Sequence, residues 1–257
     1  MTDHMILATD LDGTFLGGTE HARQSLYDNL KAKDEGATLI FVTGRGRRSI
    51  EWALETPGLP QPDYIIGDVG ASIMDGKTLE PVHAVQNWVE EIWADSGDRV
   101  EEMLADEPGL SLQHNPFERR VAYRYDPNAL NPDIRQRIEG AGFDCIISDN
   151  TFLDVMPRGV AKGPTLLRLL ALLNLSHDRT LVAGDTLNDI SLFQTGLKGV
   201  AVQNSETALV DHIRDMDHVY HSPHEGAAGI ADALHHFALA PDVTHPDSYS
   251  MQQHKEA

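Results

Sequence analysis

Cysteine is almost absent from this chain of 257 residues, and the scarcity excludes an intramolecular disulfide, because Cys145 has no second thiol to pair with. A chain without disulfides is expected in a reducing compartment, here the cytoplasm, with Cys145 as a small core residue. Long hydrophobic runs are missing too. No stretch approaches the roughly 20 apolar residues that span a bilayer. Met1-Thr2-Asp3-His4 also lacks the basic start of a secretory leader, so no membrane association is expected. Basic residues are few: 20 Lys and Arg stand against 40 Asp and Glu, a formal charge of −20. Nucleic acid is thereby excluded as a partner, since binding its backbone needs a basic surface. The same charge repels anionic small molecules at long range, so a phosphorylated ligand requires local positive charge or a metal where it binds. No internal repeat or low-complexity run is present.

What is present is 41% hydrophobic residues in short runs that alternate with helical patterns. Met5 to Leu11, Ala37 to Thr43 and Asp63 to Asp68 read as strands; Glu20 to Lys33 and Ser49 to Glu55 read as helices. Such alternation predicts an α/β fold with a doubly wound, mainly parallel sheet. The middle third changes character. A single amphipathic helix is expected over Val85 to Leu104, followed by short strands and a helix near Pro132 to Glu139. Residues 84–157 are therefore expected to form an inserted α+β domain between core segments 1–83 and 158–240, with 241–257 as a flexible tail.

Four polar clusters fall where strands end or helices begin, the place where open α/β sheets hold ligands. The first is Asp10-Leu11-Asp12-Gly13-Thr14, after Met5-Ile6-Leu7-Ala8. Residues i and i+2 of an extended segment point the same way, so Asp10 and Asp12 are expected to face one space. Two acids held that close need a cation or a shared proton. The second cluster, Thr43-Gly44-Arg45-Gly46, suits a phosphate at a helix start, although taken alone a plain helix cap accounts for it better. Lys162 is the third: ordinary as a surface lysine, yet mildly unfavourable at a helix start. The fourth, Gly184-Asp185-Thr186-Leu187-Asn188-Asp189, adds two carboxylates and an amide, although Asp185 or Asn188 can simply cap the next helix. Together the clusters offer hard oxygen ligands suited to Mg²⁺ and positive groups suited to phosphoryl transfer.

The four motifs, in this order and on these elements, resemble the haloacid dehalogenase (HAD) superfamily of phosphatases, with the insertion lying where one subclass carries its α+β cap. Within it, the span to about Ala240 resembles the sucrose-phosphate phosphatases. The supporting stretches are Pro62-Asp63-Tyr64, Val69-Gly70, Tyr123-x-Tyr125-Asp126-Pro127, Asp154-Val155-Met156-Pro157, Gly199 to Asn204 and Gly226 to Ile230. Gly70-Ala71-Ser72-Ile73 departs from the family in lacking an acidic residue before Ile73, which leaves sucrose 6-phosphate and mannosylfructose phosphate both open.

The resemblance implies that Asp10 is the nucleophile and Asp12 the acid/base. It implies Mg²⁺ on Asp10, Asp185 and the Asp12 carbonyl, with Asp189 in support, and Asn188 orienting Asp10 or the phosphate. Thr43 and Lys162 are implied as ligands of the transferred phosphoryl oxygens, with Gly44 and Arg45 expected beside the substrate. In the cap, Gln113, Asn115 and Arg120 can hydrogen-bond sugar hydroxyls. The expected partner is a sugar phosphate, with a cognate sugar-phosphate synthase as a second partner, for a monomeric enzyme. Two rivals remain open: a phosphomutase with the same core, and a noncatalytic sugar-phosphate sensor.

Overall fold

The computed structural model of the chain describes residues 4–33, 36–113 and 119–248. Among them the strands, in chain order, are β1 (Met5–Thr9), β2 (Ala37–Val42), β3 (Tyr64–Gly67), β4 (Ser72–Asp75), β5 (Leu110–Leu112), β6 (Val121–Tyr125), β7 (Phe143–Ser148), β8 (Phe152–Pro157), β9 (Thr180–Gly184), β10 (Lys198–Ala201) and β11 (Val219–His221). The α-helices are α1 (Glu20–Lys33), α2 (Arg47–Leu54), α3 (His83–Trp93), α4 (Gly97–Leu104), α5 (Ile134–Gly140), α6 (Lys162–Leu173), α7 (Ile190–Phe193), α8 (Thr207–Ile213) and α9 (Gly226–His236).

Seven strands form one sheet in the order β11-β10-β9-β1-β2-β3-β4, parallel except for β4, which runs antiparallel to β3. The chain winds outward from β1 in both directions, so β1 is the topological switch point. Thr9 lies beside Phe41 of β2 and Ala183 of β9, which brings the segments after these three strands to one edge. Strand alternation explains the apolar runs. Met5 and Leu7 enter one core cluster with residues of α1, α2 and α9, while Ile6 and Ala8 enter another with residues of α6, α7 and α8. A strand covered on both faces reads as continuous hydrophobic sequence.

The second sheet is antiparallel, in the order β5-β6-β8-β7. Its core joins Val121, Leu153 and Val155 to Val100 and Leu104 of α4 and to Ile134 and Ile138 of α5. Cys145 is buried in this cluster, and burial pushes its thiol up to about 11.

Two expectations are corrected here. Val85 to Leu104 is not one helix: Ala94 and Asp95 adopt left-handed φ of 47° and 57° and separate α3 from α4. The break lets Val85 and Val89 pack on the large-sheet core while Val100 and Leu104 pack in the small one, which a straight helix cannot do. Trp93 goes to the small core, and Trp88 packs on the large one with the Arg168 guanidinium of α6 stacked 4.0 Å over its ring. Residues 241–248 are also folded rather than loose. Val243 and Pro246 are buried, Asp242 pairs with Lys33 at 2.7 Å, and His245 lies 3.5 Å from Asp232. The apolar anchors among the polar residues supply the hold. Residues 249–257 lie outside the described residues.

Candidate active site

Asp10 follows the last residue of β1, and its N–H donates to the Ala183 carbonyl at 2.9 Å. Its carboxylate is buried and accepts a 2.7 Å hydrogen bond from Lys162 Nζ. Lys162 is the first residue of α6, and its fully buried ammonium also donates to Asp189 Oδ1 at 2.6 Å. Close approach of α6 and α7 seats it there: a Cβ on Gly163 would fall 1.9 Å from the Ser191 carbonyl oxygen. Burial works against the Lys162 charge, but Asp10 and Asp189 outweigh it and hold its pKa above that of an ordinary lysine.

Asp185 follows β9 and accepts the Thr14 hydroxyl on Oδ1 at 2.8 Å. Asp189 Oδ2 accepts the backbone N–H groups of Asp185 and Thr186 at 3.0 and 3.1 Å. Both Asp189 oxygens are thus engaged, one by Lys162 and one by the loop it shapes. Asp10, Asp185 and Asp189 place carboxylate oxygens within 4.8 Å of one another, all buried, in an arrangement that can hold a metal ion. One ammonium does not balance three such carboxylates. Burial raises Asp10 well above the usual carboxylate range, with Lys162 lowering it and Asp189 and Asp185 raising it. Burial and then Asp189 raise Asp185 to about 7. A hard-oxygen donor set with excess negative charge fits a divalent cation.

Asp12 does not share this space. The i, i+2 argument fails because β1 ends at Thr9 and a tight turn over Leu11–Phe15 begins, with Leu11 buried and Gly13 at φ 78°. The Asp12 carboxylate is exposed and held bidentately by Arg45, at 2.7 Å to Nε and 2.6 Å to Nη2. Arg45 has its pKa raised by this hydrogen bond first, against partial burial, and Asp10 lies near enough to add to the field. Thr43 is buried after β2, with Gly44 beside it, and a Cβ on Gly44 would lie 3.6 Å from Asn188 Nδ2. Asn188 Oδ1 is buried with no hydrogen-bond partner among the described residues. The four motifs therefore meet at one sheet edge.

In the cap, Arg120 is not a free sugar ligand. Its guanidinium is buried, donates to Asp154 Oδ1 at 2.7 Å and to the Gly44 carbonyl at 2.8 Å, and lies 3.4 Å from Asp68. Two carboxylates and a carbonyl outcompete solvent for it, so it bridges the small sheet to the Thr43-Gly44 segment after β2. Gln113 is half-buried just after β5, its N–H bonded to the Ala122 carbonyl at 2.8 Å, and Asn115 lies outside the described residues.

Sequence reasoning missed three supports. Thr14 orients Asp185, and its place in the Asp10-to-Thr14 string was the available signal. Asn204 ties the Gly13 carbonyl (3.0 Å) to the Gly226 N–H (3.0 Å), and Glu206 braces the Asp185 loop. Gly13 itself is required twice over, because its φ is 78° and an added Cβ would fall 2.1 Å from Asp185 Oδ2. Gly13→Ala is expected to cost about 1–3 kcal/mol of stability and, by displacing Asp185, to lower kcat on the order of 100-fold. Thermal melting and turnover measured together check this; a variant with wild-type kcat would show that Asp185 need not stay in place.

A switch-point aspartate backed by a buried lysine and an acidic loop, with an inserted α+β layer, defines a HAD-like fold and site. A HAD-like hydrolase from Bacillus subtilis shares the fold at a TM-score of 0.64 and 19% identity, covering 92% of this chain and 93% of that one. The profile of sucrose-6F-phosphate phosphohydrolase matches residues 3–238, and the chain belongs to that family, as its motifs implied. The sucrose-phosphatase of Synechocystis, solved with sucrose and phosphate, superposes at a TM-score of 0.82 with 28% identity, covering 91% of this chain and 98% of that one. Mannosylfructose-phosphate phosphatase of Agrobacterium fabrum is 29% identical over 92% of this chain and 98% of its own length. Glucosylglycerol-phosphate synthase of Pseudomonas anguilliseptica is 42% identical over 236 residues, 91% of this chain but only 31% of the synthase. The chain thus spans about a third of that relative's length. Among the described residues no helix is long and apolar enough to cross a membrane.

Proposed function

We propose that this chain is a Mg²⁺-dependent phosphatase that hydrolyses a glycoside phosphate through an aspartyl-phosphate on Asp10. The observation that carries the reading is the buried Asp10 carboxylate, fixed by Lys162 and set beside Asp185 at the sheet's switch point. Asp10 attacks phosphorus in line as the sugar oxygen leaves. Asp12 protonates that oxygen, then takes a proton from the water that cleaves the acyl phosphate and restores Asp10. Arg45 holds Asp12 at the mouth of the site until then. Lys162 and Thr43 bind the transferred phosphoryl oxygens, and Asn188 supplies its unpartnered amide oxygen to orient them through water or substrate hydrogen. Asp10, Asp185 and the Asp12 carbonyl would hold Mg²⁺, with Asp189 keeping the loop in shape. Bound there, the ion neutralises the clustered carboxylates and the phosphoryl charge. Residues 84–157 act as the cap that excludes water and receives the sugar.

The relatives favour a glycoside as leaving group. Glucosylglycerol phosphate is the substrate suggested by the 42% identical relative, while the family profile and the Synechocystis structure favour sucrose 6-phosphate. Association with a sugar-phosphate synthase is the matching partner proposal, because the related segment occurs within a chain named as a synthase. Phosphate release from a panel containing both compounds, mannosylfructose phosphate and monosaccharide phosphates, with and without Mg²⁺, tests the reading. Release from one glycoside phosphate, abolished by EDTA, is expected. No release from any member would leave the sensor reading, and preference for a monosaccharide phosphate would sink the glycoside assignment. Dependence on a bisphosphate activator with phosphate retained would mark the mutase.

A further inference from the structure

Glu206 stands between β10 and α8, outside every motif used above, yet it touches both the cap and the acidic loop. Its Oε1 accepts the Asp149 N–H at 3.1 Å, and its Oε2 accepts the Leu187 N–H at 2.9 Å. Its own N–H donates to the Asp185 carbonyl at 2.8 Å. Asp149 sits at the tip of the β7–β8 hairpin, where left-handed φ values of 52° and 45° at Asp149 and Asn150 turn the chain. Leu187 lies between Asp185 and Asn188 in the loop that shapes the site. One carboxylate therefore spans the seam between the small sheet and the catalytic edge.

The rest of that seam is open. A cleft of about 360 Å³ runs along it, lined by Asp149, Asn150, Leu187, Glu206, Thr207 and Ala208. That is room for roughly a dozen waters at ~30 Å³ each. Hydrogen bonds from backbone N–H to a carboxylate are stronger than neutral ones, and here they form a polar bridge beside the cleft. Elsewhere along the seam, Arg120 reaches the Gly44 carbonyl, so that polar link from the cap also ends on a loop that carries site residues.

We propose that Glu206 is a positioning residue that couples docking of the cap hairpin to the geometry of the Asp185–Asp189 loop. For its effect on turnover, this rests on the phosphatase reading above. When the hairpin lifts, Glu206 loses the Asp149 bond and its hold on Leu187 loosens. The site is then fully ordered only with the cap down, and substrates large enough to contact the cap gain from that coupling. A phosphomonoester too small to contact the cap gains less.

The test uses the full chain with Glu206→Ala and Glu206→Gln, the latter keeping size and one acceptor oxygen. Amide exchange should accelerate together at 148–151 and 186–188 in Glu206→Ala, by about tenfold, and by less in Glu206→Gln. Turnover should separate by substrate. kcat/KM for sucrose 6-phosphate or glucosylglycerol phosphate should fall tenfold or more, and that for p-nitrophenyl phosphate several-fold less. Unchanged exchange at 148–151 overturns the clasp, and equal losses on large and small substrates overturn the coupling. If the wild-type chain releases phosphate from nothing, the phosphatase reading fails while the exchange data still decide the clasp.

Discussion

Asp10→Asn is expected to remove measurable phosphate release, a loss on the order of 10⁴-fold or more in kcat. The substitution keeps the side chain's size and leaves Oδ1 to accept the Lys162 hydrogen bond, now at 2.7 Å. What disappears is the anion that attacks phosphorus, and an amide cannot replace it. The fold should survive. Asp10 is a buried carboxyl whose pKa burial holds well above the usual range, with Asp189 and Asp185 adding to the rise and Lys162 opposing it. Replacing it by a neutral group therefore removes a charge that the metal-free protein accommodates poorly. Phosphate release and thermal melting, measured on the same preparation, separate loss of chemistry from loss of structure. An Asp10→Asn protein that melts normally and retains most of its turnover would overturn the nucleophile assignment.

How much of this was legible in the sequence depends on how local each signal is. β1, β2 and β9 could be read because strands covered on both faces are apolar throughout, and the polar residues that end them stand out sharply. Asp10, Thr43 and Asp185 were found that way, and their convergence followed from a parallel sheet with a reversal point. Lys162 was less visible. Only its awkward place at a helix start distinguished it, and its burial between Asp10 and Asp189 depends on how closely α6 meets α7 at Gly163.

Placements set by tertiary contacts could not be read. Asp12 shares a motif with Asp10 yet turns toward Arg45, because β1 ends at Thr9 and the turn over Leu11–Phe15 begins before Asp12 is reached. Arg120 looks like any arginine near a binding segment, and only the docked cap shows it facing Asp68, Asp154 and Gly44. The break at Ala94-Asp95 has one local signal, the Asp95-Ser96-Gly97 turn that precedes α4, and the continuous amphipathic pattern on either side masks it. It arises because the two halves of the amphipathic pattern serve different cores.

Asp185→Asn is expected to act in opposite directions on activity and on the stability of the metal-free protein. Burial and the neighbouring Asp189 raise this carboxyl to about 7, against the pull of the Thr14 hydroxyl and Lys162. The folded-state value lies above the ordinary 3.8, so ionising the group costs the folded state. That cost is absent below about pH 4, grows as the pH rises, and is complete above about pH 7. Its ceiling is on the order of 4 kcal/mol. Asparagine carries no charge and keeps an oxygen for Thr14, so the variant should melt higher than wild type at pH 8, by about 5–10 °C. The gain should shrink toward zero near pH 4. Mg²⁺ should raise the melting temperature of the wild-type chain and leave that of Asp185→Asn nearly unchanged, since the variant loses an anionic ligand. Turnover should fall about 10³-fold. A melting temperature that drops at pH 8, or a gain of equal size at pH 4 and pH 8, would mean that Asp185 is not the strained charge of this site.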